Sequence, residues 1–338
     1  MATTIKDVAR RAGLSISTVS KYLNGLPVRE ANRSRIEEAI HALAFRVNPM
    51  ARGLRTRKTM TVGVLIPDLE ISFFPALVAH IERSLQRHGY SVLLSAYAQS
   101  PRREVERIRM LQAKRVDAMI LVPHELDAEV VRQLQESGIP VVLVDRDLET
   151  AGICDAVLVD NYAAARQAMD LLLDNGHRRI GLILGPQDVM TARERRQGCL
   201  DALTARGLPL AAACLWEGAY DFRTGYEGMH AFLSRGQPPT AVFATNHDMM
   251  LGAVMAMNER AVQVPERLSF VGFDNEALAK AVRPRLTHVL QPLPHMGEAV
   301  AELVLRRLQG DWRGYPEAAR LKAMLWQGES IRDIRRKT

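Results

Sequence analysis

The sequence predicts two architectures in one chain: a small all-α head built on a helix-turn-helix, and an α/β body of two doubly wound parallel-sheet subdomains. Three observations predict this. Residues 1–58 carry helix signals, with capping residues and apolar positions at helical spacing. From residue 61 short apolar runs alternate with amphipathic stretches, the rhythm of buried parallel strands covered by helices. The charge divides at the same place: residues 1–58 hold twelve basic and four acidic side chains, a net +8, and the other 280 hold 33 and 34. A basic head on a neutral body suggests a polyanion-binding module.

In the head, Thr4-Ile5-Lys6-Asp7 has the form of a capping box. Ile5, Val8, Ala9 and Ala12 follow at helical spacing, and Gly13 suits the left-handed stop. Ser15 reads as the cap of a second helix with Val19, Tyr22 and Leu23 on one side. Asn24-Gly25-Leu26-Pro27 is a breaker. Asn32 reads as the cap of a third helix with Ile36, Ala39, Ile40 and Leu43 inward. Two short helices joined by a tight glycine turn, with a packing helix, form a helix-turn-helix.

The stretch TIKDVARRAGLSISTVSKYLNG resembles the N-terminal signature of the lac repressor/gal repressor family of bacterial transcription regulators. That resemblance implies that the second helix enters the major groove and places Ile16, Ser17 and Lys21 at base-reading positions. Lysine donates to guanine without the bidentate fork of arginine, and isoleucine packs on a thymine methyl. Thr4, Thr18, Ser20 and Asn24 are small polar groups suited to phosphate oxygens. Local alternatives stand beside these readings: Thr4 and Ser20 as caps, Ile16 as a core residue.

Residues 48–58, NPMARGLRTRK, read as a short basic helix that is marginal by itself. The resemblance implies a hinge helix that pairs across a dimer and wedges Leu54 into the minor groove, with Asn48 and Ala51 at matching positions. A flexible linker is the alternative. The expected divisions are a head at 1–46, a hinge at 47–58 and a body at 59–338. Within the body one subdomain takes about 60–160 plus 292–320, and the other about 161–291 plus 321–338.

The apolar runs TVGVLIP, SVLLSA, AMILV, VVLVD, AVLVD, IGLILG, TAVFAT, LSFVGFD and THVLQ read as strands, and 75–88 as a helix with Pro75 in its first turn. The resemblance implies a periplasmic-binding-protein-like body. Ligands of open parallel sheets sit at the carboxyl ends of strands. There the sequence offers Phe73, Phe74, Asp145, Arg146, Asp160, Asn161, Thr191, Arg195, Tyr220, Asn246, His247 and Asp274. The resemblance assigns Phe73, Phe74, Asp145, Arg195, Tyr220, Asn246 and Asp274 to an effector pocket. Arg146 and His247 join them as strand-end neighbours, although His247 departs from the acidic residue frequent in the family. Rings and hydrogen-bonding groups together suit a small polar ligand. Helix capping competes for Asp160, and interdomain packing for Phe73.

No GxSxG, Walker-type loop, GxGxxG, HExxH or CxxC occurs, and no catalytic group, metal ligand set or cofactor is expected. His177 and His288 read as surface or packing residues. No run approaches the roughly 20 apolar residues of a membrane span, no signal-peptide core is evident, and three unpaired cysteines fit a reducing cytoplasm. The resemblance implies a ligand-responsive repressor of a carbohydrate-related operon, binding double-stranded operator DNA. The resemblance also implies a homodimer, because the family's tetramers use a C-terminal heptad helix and the tail GESIRDIRRKT shows no such repeat. A purine-type corepressor is the alternative effector; a sugar-modifying enzyme or solute receptor is the alternative class.

Overall fold

The computed structural model describes residues 3–23, 26–45, 58–98, 100–148, 152–208 and 213–335. The chain forms two compact units, Met1–Met60 and Thr61–Thr338.

The described part of the first unit holds helices α1 (Ile5–Ala12), α2 (Ile16–Leu23) and α3 (Glu30–Ala42). Asp7 Oδ2 accepts from the Thr4 amide (2.9 Å) and hydroxyl (2.7 Å), which fixes the start of α1. Gly13 ends it at φ 61°, a conformation that costs glycine nothing. The Thr18 amide donates to Ser15 Oγ (3.2 Å) and opens α2. The third helix begins two residues before the predicted cap. Asn32 lies inside its first turn, because Glu30 places a carboxylate against the positive helix end and permits the earlier start. Val8, Val19 and Ile36 are fully buried at the centre, with Leu14, Tyr22, Leu23, Ile40 and Leu43 packed around them. Asn24 and the hinge positions Asn48, Ala51 and Leu54 lie outside the described residues.

The second unit has two lobes, each with a six-stranded sheet. One sheet contains β1 (Thr61–Ile66), β2 (Ser91–Ala96), β3 (Ala118–Leu121), β4 (Val141–Val144), β5 (Asp155–Val159) and β11 (Ala318–Leu321), in the order β11-β5-β4-β3-β1-β2. The other contains β6 (Ile180–Leu184), β7 (Ala213–Glu217), β8 (Ala241–Ala244), β9 (Ser269–Phe273), β10 (Thr287–Leu290) and β12 (Met324–Trp326), in the order β12-β10-β9-β8-β6-β7. The two orders correspond strand for strand. The chain crosses between lobes at 160–161, 291–292 and 322–323.

The first lobe carries α4 (Phe73–Gln86), α5 (Pro101–Ala113), α6 (Ala128–Glu136) and α12 (Leu293–Leu308). The second carries α7 (Asn161–Asp174), α8 (Met190–Ala205), α9 (Phe222–Leu233), α10 (His247–Glu259) and α11 (Glu276–Ala281). The central strands β3, β4, β5, β6, β8 and β9 are buried throughout, as unbroken apolar runs with helices on both faces require.

In the second unit the structure corrects the sequence reading in four ways. The run SVLLSA is a half-exposed edge strand, since β2 has a neighbour on one side only. Strands β7, β11 and β12 were not predicted: ACLWE, AARL and MLW are short edge segments without a long apolar run. The pairing of β10 with β12 is antiparallel in an otherwise parallel set. Helix α4 spans 73–86 rather than 75–88, so its two leading phenylalanines are helical.

Candidate functional site

On the head, Ile16 is 45% exposed, so it does not pack inside. Ser17 and Lys21 are exposed beside it on α2. The hydroxyls of Ser17 and Thr18 each lie 2.8 Å from Ser15 Oγ, and Thr4 engages Asp7, so these groups have local partners in the isolated chain. Tyr22 (2.7 Å) and Arg33 (2.9 Å) both donate to Glu37, which ties α2 to α3.

In the body, a cavity of about 150 Å³ lies between the lobes at the carboxyl ends of the strands. Phe73, Phe74, Asp145, Arg146, Arg195, Tyr220, Asn246 and Asp274 all line it. His247 is not a lining residue. It opens α10 with its Nε2 turned 2.7 Å from Ser72 Oγ, a contact that joins the lobes. Asp160 accepts from the Ala163 amide (2.9 Å) and caps α7, so the capping reading accounts for it.

Asp145 and Asp274 end β4 and β9 at φ 68° and 65°. This left-handed region is unusual for a residue with a Cβ, and aspartate tolerates it better than most. In each case the next amide bonds back across the aspartate, Arg146 to Val144 O (2.8 Å) and Asn275 to Phe273 O (3.0 Å), a γ-turn. Two corresponding strands thus carry the same strained turn, and such strain gathers at functional sites. Burial pushes both carboxyl groups above the usual carboxylate range, against the pull of Arg146 and Arg195 on Asp145 and of Arg195 and Gln291 on Asp274.

Arg195 is the fixed centre of this field. Its Nε donates to Asn161 Oδ1 (2.8 Å) and its Nη1 to Thr245 O (2.7 Å), and its guanidinium lies 3.8 Å from the Phe273 ring centroid. Arg146 pairs with Asp145 (3.5 Å) and sits 5.9 Å from the Phe74 ring centroid. Its Nε is buried without a hydrogen-bond partner among the described residues. Phe73 and Phe74 meet edge to face at 5.2 Å. Tyr220 lies 3.2 Å from the Thr191 hydroxyl and covers Gly185, where an added Cβ would come within 2.1 Å of the ring. Asn246 caps α10 through Oδ1, accepting from the Asp248 (2.9 Å) and Met249 (3.2 Å) amides.

Sequence reasoning missed Ile71, His124, Asp188, Val189 and Gln291 in the lining. Gln291 holds Asp274 through its amide (3.1 Å) and Nε2 (2.7 Å), and its Oε1 is buried without a partner among the described residues. Its place after THVL was the available signal. His124, Glu125 and Asp188 bring possible metal-ligand atoms within 4.8 Å of one another. Both carboxylates are exposed, an arrangement that needs no ion. His177 and His288 are buried packing residues; His177 bonds Thr240 Oγ1 (2.9 Å) and Arg332 O (3.1 Å).

Residues 4–48 match the family described as bacterial regulatory proteins, lacI family, and residues 59–314 match periplasmic binding proteins and the sugar binding domain of the LacI family. The chain belongs to the LacI family. It is 35% identical over 308 residues to catabolite control protein A of Priestia megaterium, covering 90% of this chain and 92% of that protein. Its fold is similar to the lac repressor dimer bound to operator and the anti-inducer ONPF, with a TM-score of 0.87, 26% identity, and coverage of 98% of this chain and 100% of that one. A LacI-family regulator from Enterococcus faecium with bound ribose matches with a TM-score of 0.74, 26% identity, and coverage of 81% and 99%. As a LacI-family member the protein is a DNA-binding transcriptional regulator with a ligand-binding body. No helix among the described residues is long and apolar enough to cross a membrane.

Proposed function

We propose that this LacI-family regulator represses a carbohydrate-related operon as a homodimer on a palindromic operator, and that a monosaccharide between the lobes sets its DNA affinity. The observation that carries the effector class is the pair Asp145 and Asp274 flanking Arg195 in a cavity of about 150 Å³. That volume is comparable to cavities that admit one six-membered ring. Fixed carboxylates and guanidinium groups match hydroxyls, and Phe73, Phe74 and Tyr220 supply faces for the C–H side of a sugar. The ribose-bound neighbour supports the same class. No step of bond chemistry is assigned to the cleft: the relatives are regulators, and the site is read as binding only.

On the head, Ile16, Ser17 and Lys21 read bases while Thr4, Thr18, Ser20 and Asn24 hold phosphates. Asn48, Ala51 and Leu54 serve the hinge. Ligand alters the angle between lobes and so biases hinge pairing, a coupling of about 1–3 kcal/mol.

A thermal-shift screen of sugars, sugar acids and nucleobases, with D-ribose first, tests the effector class. Stabilisation by a monosaccharide and none by nucleobases is expected; the reverse result would give the site to a purine-type ligand. Operator binding that falls steeply with salt tests the head. Leu54→Ala is expected to weaken specific binding far more than nonspecific binding, and equal losses would reduce residues 48–58 to a linker.

A further inference from the structure

We propose that Glu104, a buried carboxylate behind the first lobe's half of the cleft, is a positioning residue for ligand binding: in its ionised form it pins the turn at 123–125, and through that turn Arg146. The proposal rests on reading the cleft as the effector site.

Glu104 lies in the first turn of α5 and is 1% exposed. Its two oxygens accept from successive backbone amides, Oε1 from His124 (3.2 Å) and Oε2 from Glu125 (3.4 Å). These residues follow β3, and His124 lines the cavity. The preceding carbonyl, Pro123 O, meets Arg146 Nη1 at 3.5 Å. Tyr97 donates to Val122 O (3.0 Å) and holds the turn from its other side. One acidic side chain therefore fixes a segment that touches both the cavity and its buried guanidinium.

The carboxylate suits this task better than the acid. Ionised, it offers an acceptor to each amide, and charge-assisted hydrogen bonds are about twice as strong as neutral ones. Protonated, one oxygen becomes a donor facing an N–H. Burial pushes the group up to about 7, opposed by the two amides and by Arg146, and reinforced by Glu125. The groups facing it are Tyr97 after β2, His124 and Glu125 after β3, and Arg146 after β4. The two forms thus exchange near neutrality.

Calorimetric binding of D-ribose to the full-length protein, between about pH 5.5 and about pH 8.5, tests this. Wild-type affinity is expected to rise about five-fold as Glu104 ionises, the equivalent of exchanging a neutral hydrogen bond for a charge-assisted one. Glu104→Gln is expected to match wild type at the acid end and to lose this rise. The titrations of Asp145 and Asp274 are common to both proteins and drop out of the comparison. His124→Gln is expected to keep the rise. Identical profiles in wild type and Glu104→Gln, or a rise that vanishes with His124, would overturn the proposal.

A residue that only stabilises the fold would move affinity and melting temperature together. Here Glu104→Gln is expected to melt higher than wild type at about pH 8.5 while binding more weakly. Glu104→Asp, which keeps the charge, is expected to keep the pH profile and stands in should the glutamine variant not fold. Should ribose fail to bind wild type at every pH, the calorimetry is run with the sugar that the screen selects, and should no sugar bind, the sugar reading falls. Amide exchange at His124 and Glu125 then decides for Glu104: faster exchange in Glu104→Gln supports it, and unchanged exchange overturns it.

Discussion

The two lobes share a strand order but hold their strands by different chemistry at the two ends. At the carboxyl ends the lobes agree. Both β4 and β9 finish on an aspartate in the left-handed region, followed by the same back-bonded amide. At the amino ends they diverge. Asp155 opens β5, and Arg307 grips it through Nε (2.7 Å) and Nη2 (3.0 Å), with Glu317 sharing the guanidinium at 2.9 Å. Both side chains of the Arg307–Asp155 pair are fully buried. The corresponding strand β10 opens on Thr287, where hydroxyls do the work. The Thr287 amide donates to Ser330 Oγ (2.8 Å), Ser330 donates to Phe270 O (2.6 Å), and Gly328 donates to Thr287 Oγ1 (3.0 Å).

The difference teaches where an architecture constrains its sequence. The cavity lies at the carboxyl ends, so both lobes keep a turn that aims a carboxylate inward. The feet of the strands only close the lobe, and any fully satisfied polar network closes it.

The comparison is most directly broken at the feet. Arg307→Ala leaves Asp155 buried and unpaired and is expected to cost about 3–5 kcal/mol by denaturant unfolding. A cost under about 1 kcal/mol would mean that the charged foot adds no more than an exposed ion pair. In the second lobe, Ser330→Ala removes both a donor and an acceptor and is expected to cost about 1–3 kcal/mol. A larger loss than for Arg307→Ala would reverse the ranking of the two feet.

Asp145→Asn and Asp274→Asn sharpen the comparison at the cleft. Both aspartates keep their proton to a higher pH when folded than when unfolded. Their contribution to stability is therefore present in acid and is lost as the pH rises from the ordinary value of 3.8 through the raised folded value. Each asparagine variant is expected to flatten the fall in melting temperature across that window and to abolish the ligand response while leaving operator binding. A variant that still responds would remove its aspartate from the site. The smallest expected effect is at the cleft wall. Gly185→Ala drives a methyl into the Tyr220 ring and is expected to weaken ligand affinity with little change in DNA binding, read by calorimetry and gel shift.

Much of the site was legible because strand ends announce themselves. VVLVDR and SFVGFDN each place a polar residue directly after a buried apolar run, and Asp145, Arg146 and Asp274 follow from that pattern with the fold class. Gln291 carried the same signal after THVL, whereas Glu104, His124 and Asp188 were not legible in this way. Glu104 looks like one more acid in PRREVERIRM, a helix rich in charge, and nothing local marks it as the member turned inward. His247 shows the opposite error: it follows a strand, but the start of α10 turns its ring to Ser72 and away from the cavity lining.

The sequence by itself determined the helix-turn-helix head, the positions of the main buried strands along the chain and the identity of the strand-end groups. These rest on capping, periodicity and apolar runs, which are properties of neighbours along the chain. Only the tertiary structure decided which of those groups share one cavity, which aspartate caps a helix and which lines that cavity, and that Arg307 and Asp155, 152 positions apart, close the first lobe. Such pairings depend on the distance between segments folded against each other, and no local pattern encodes that distance.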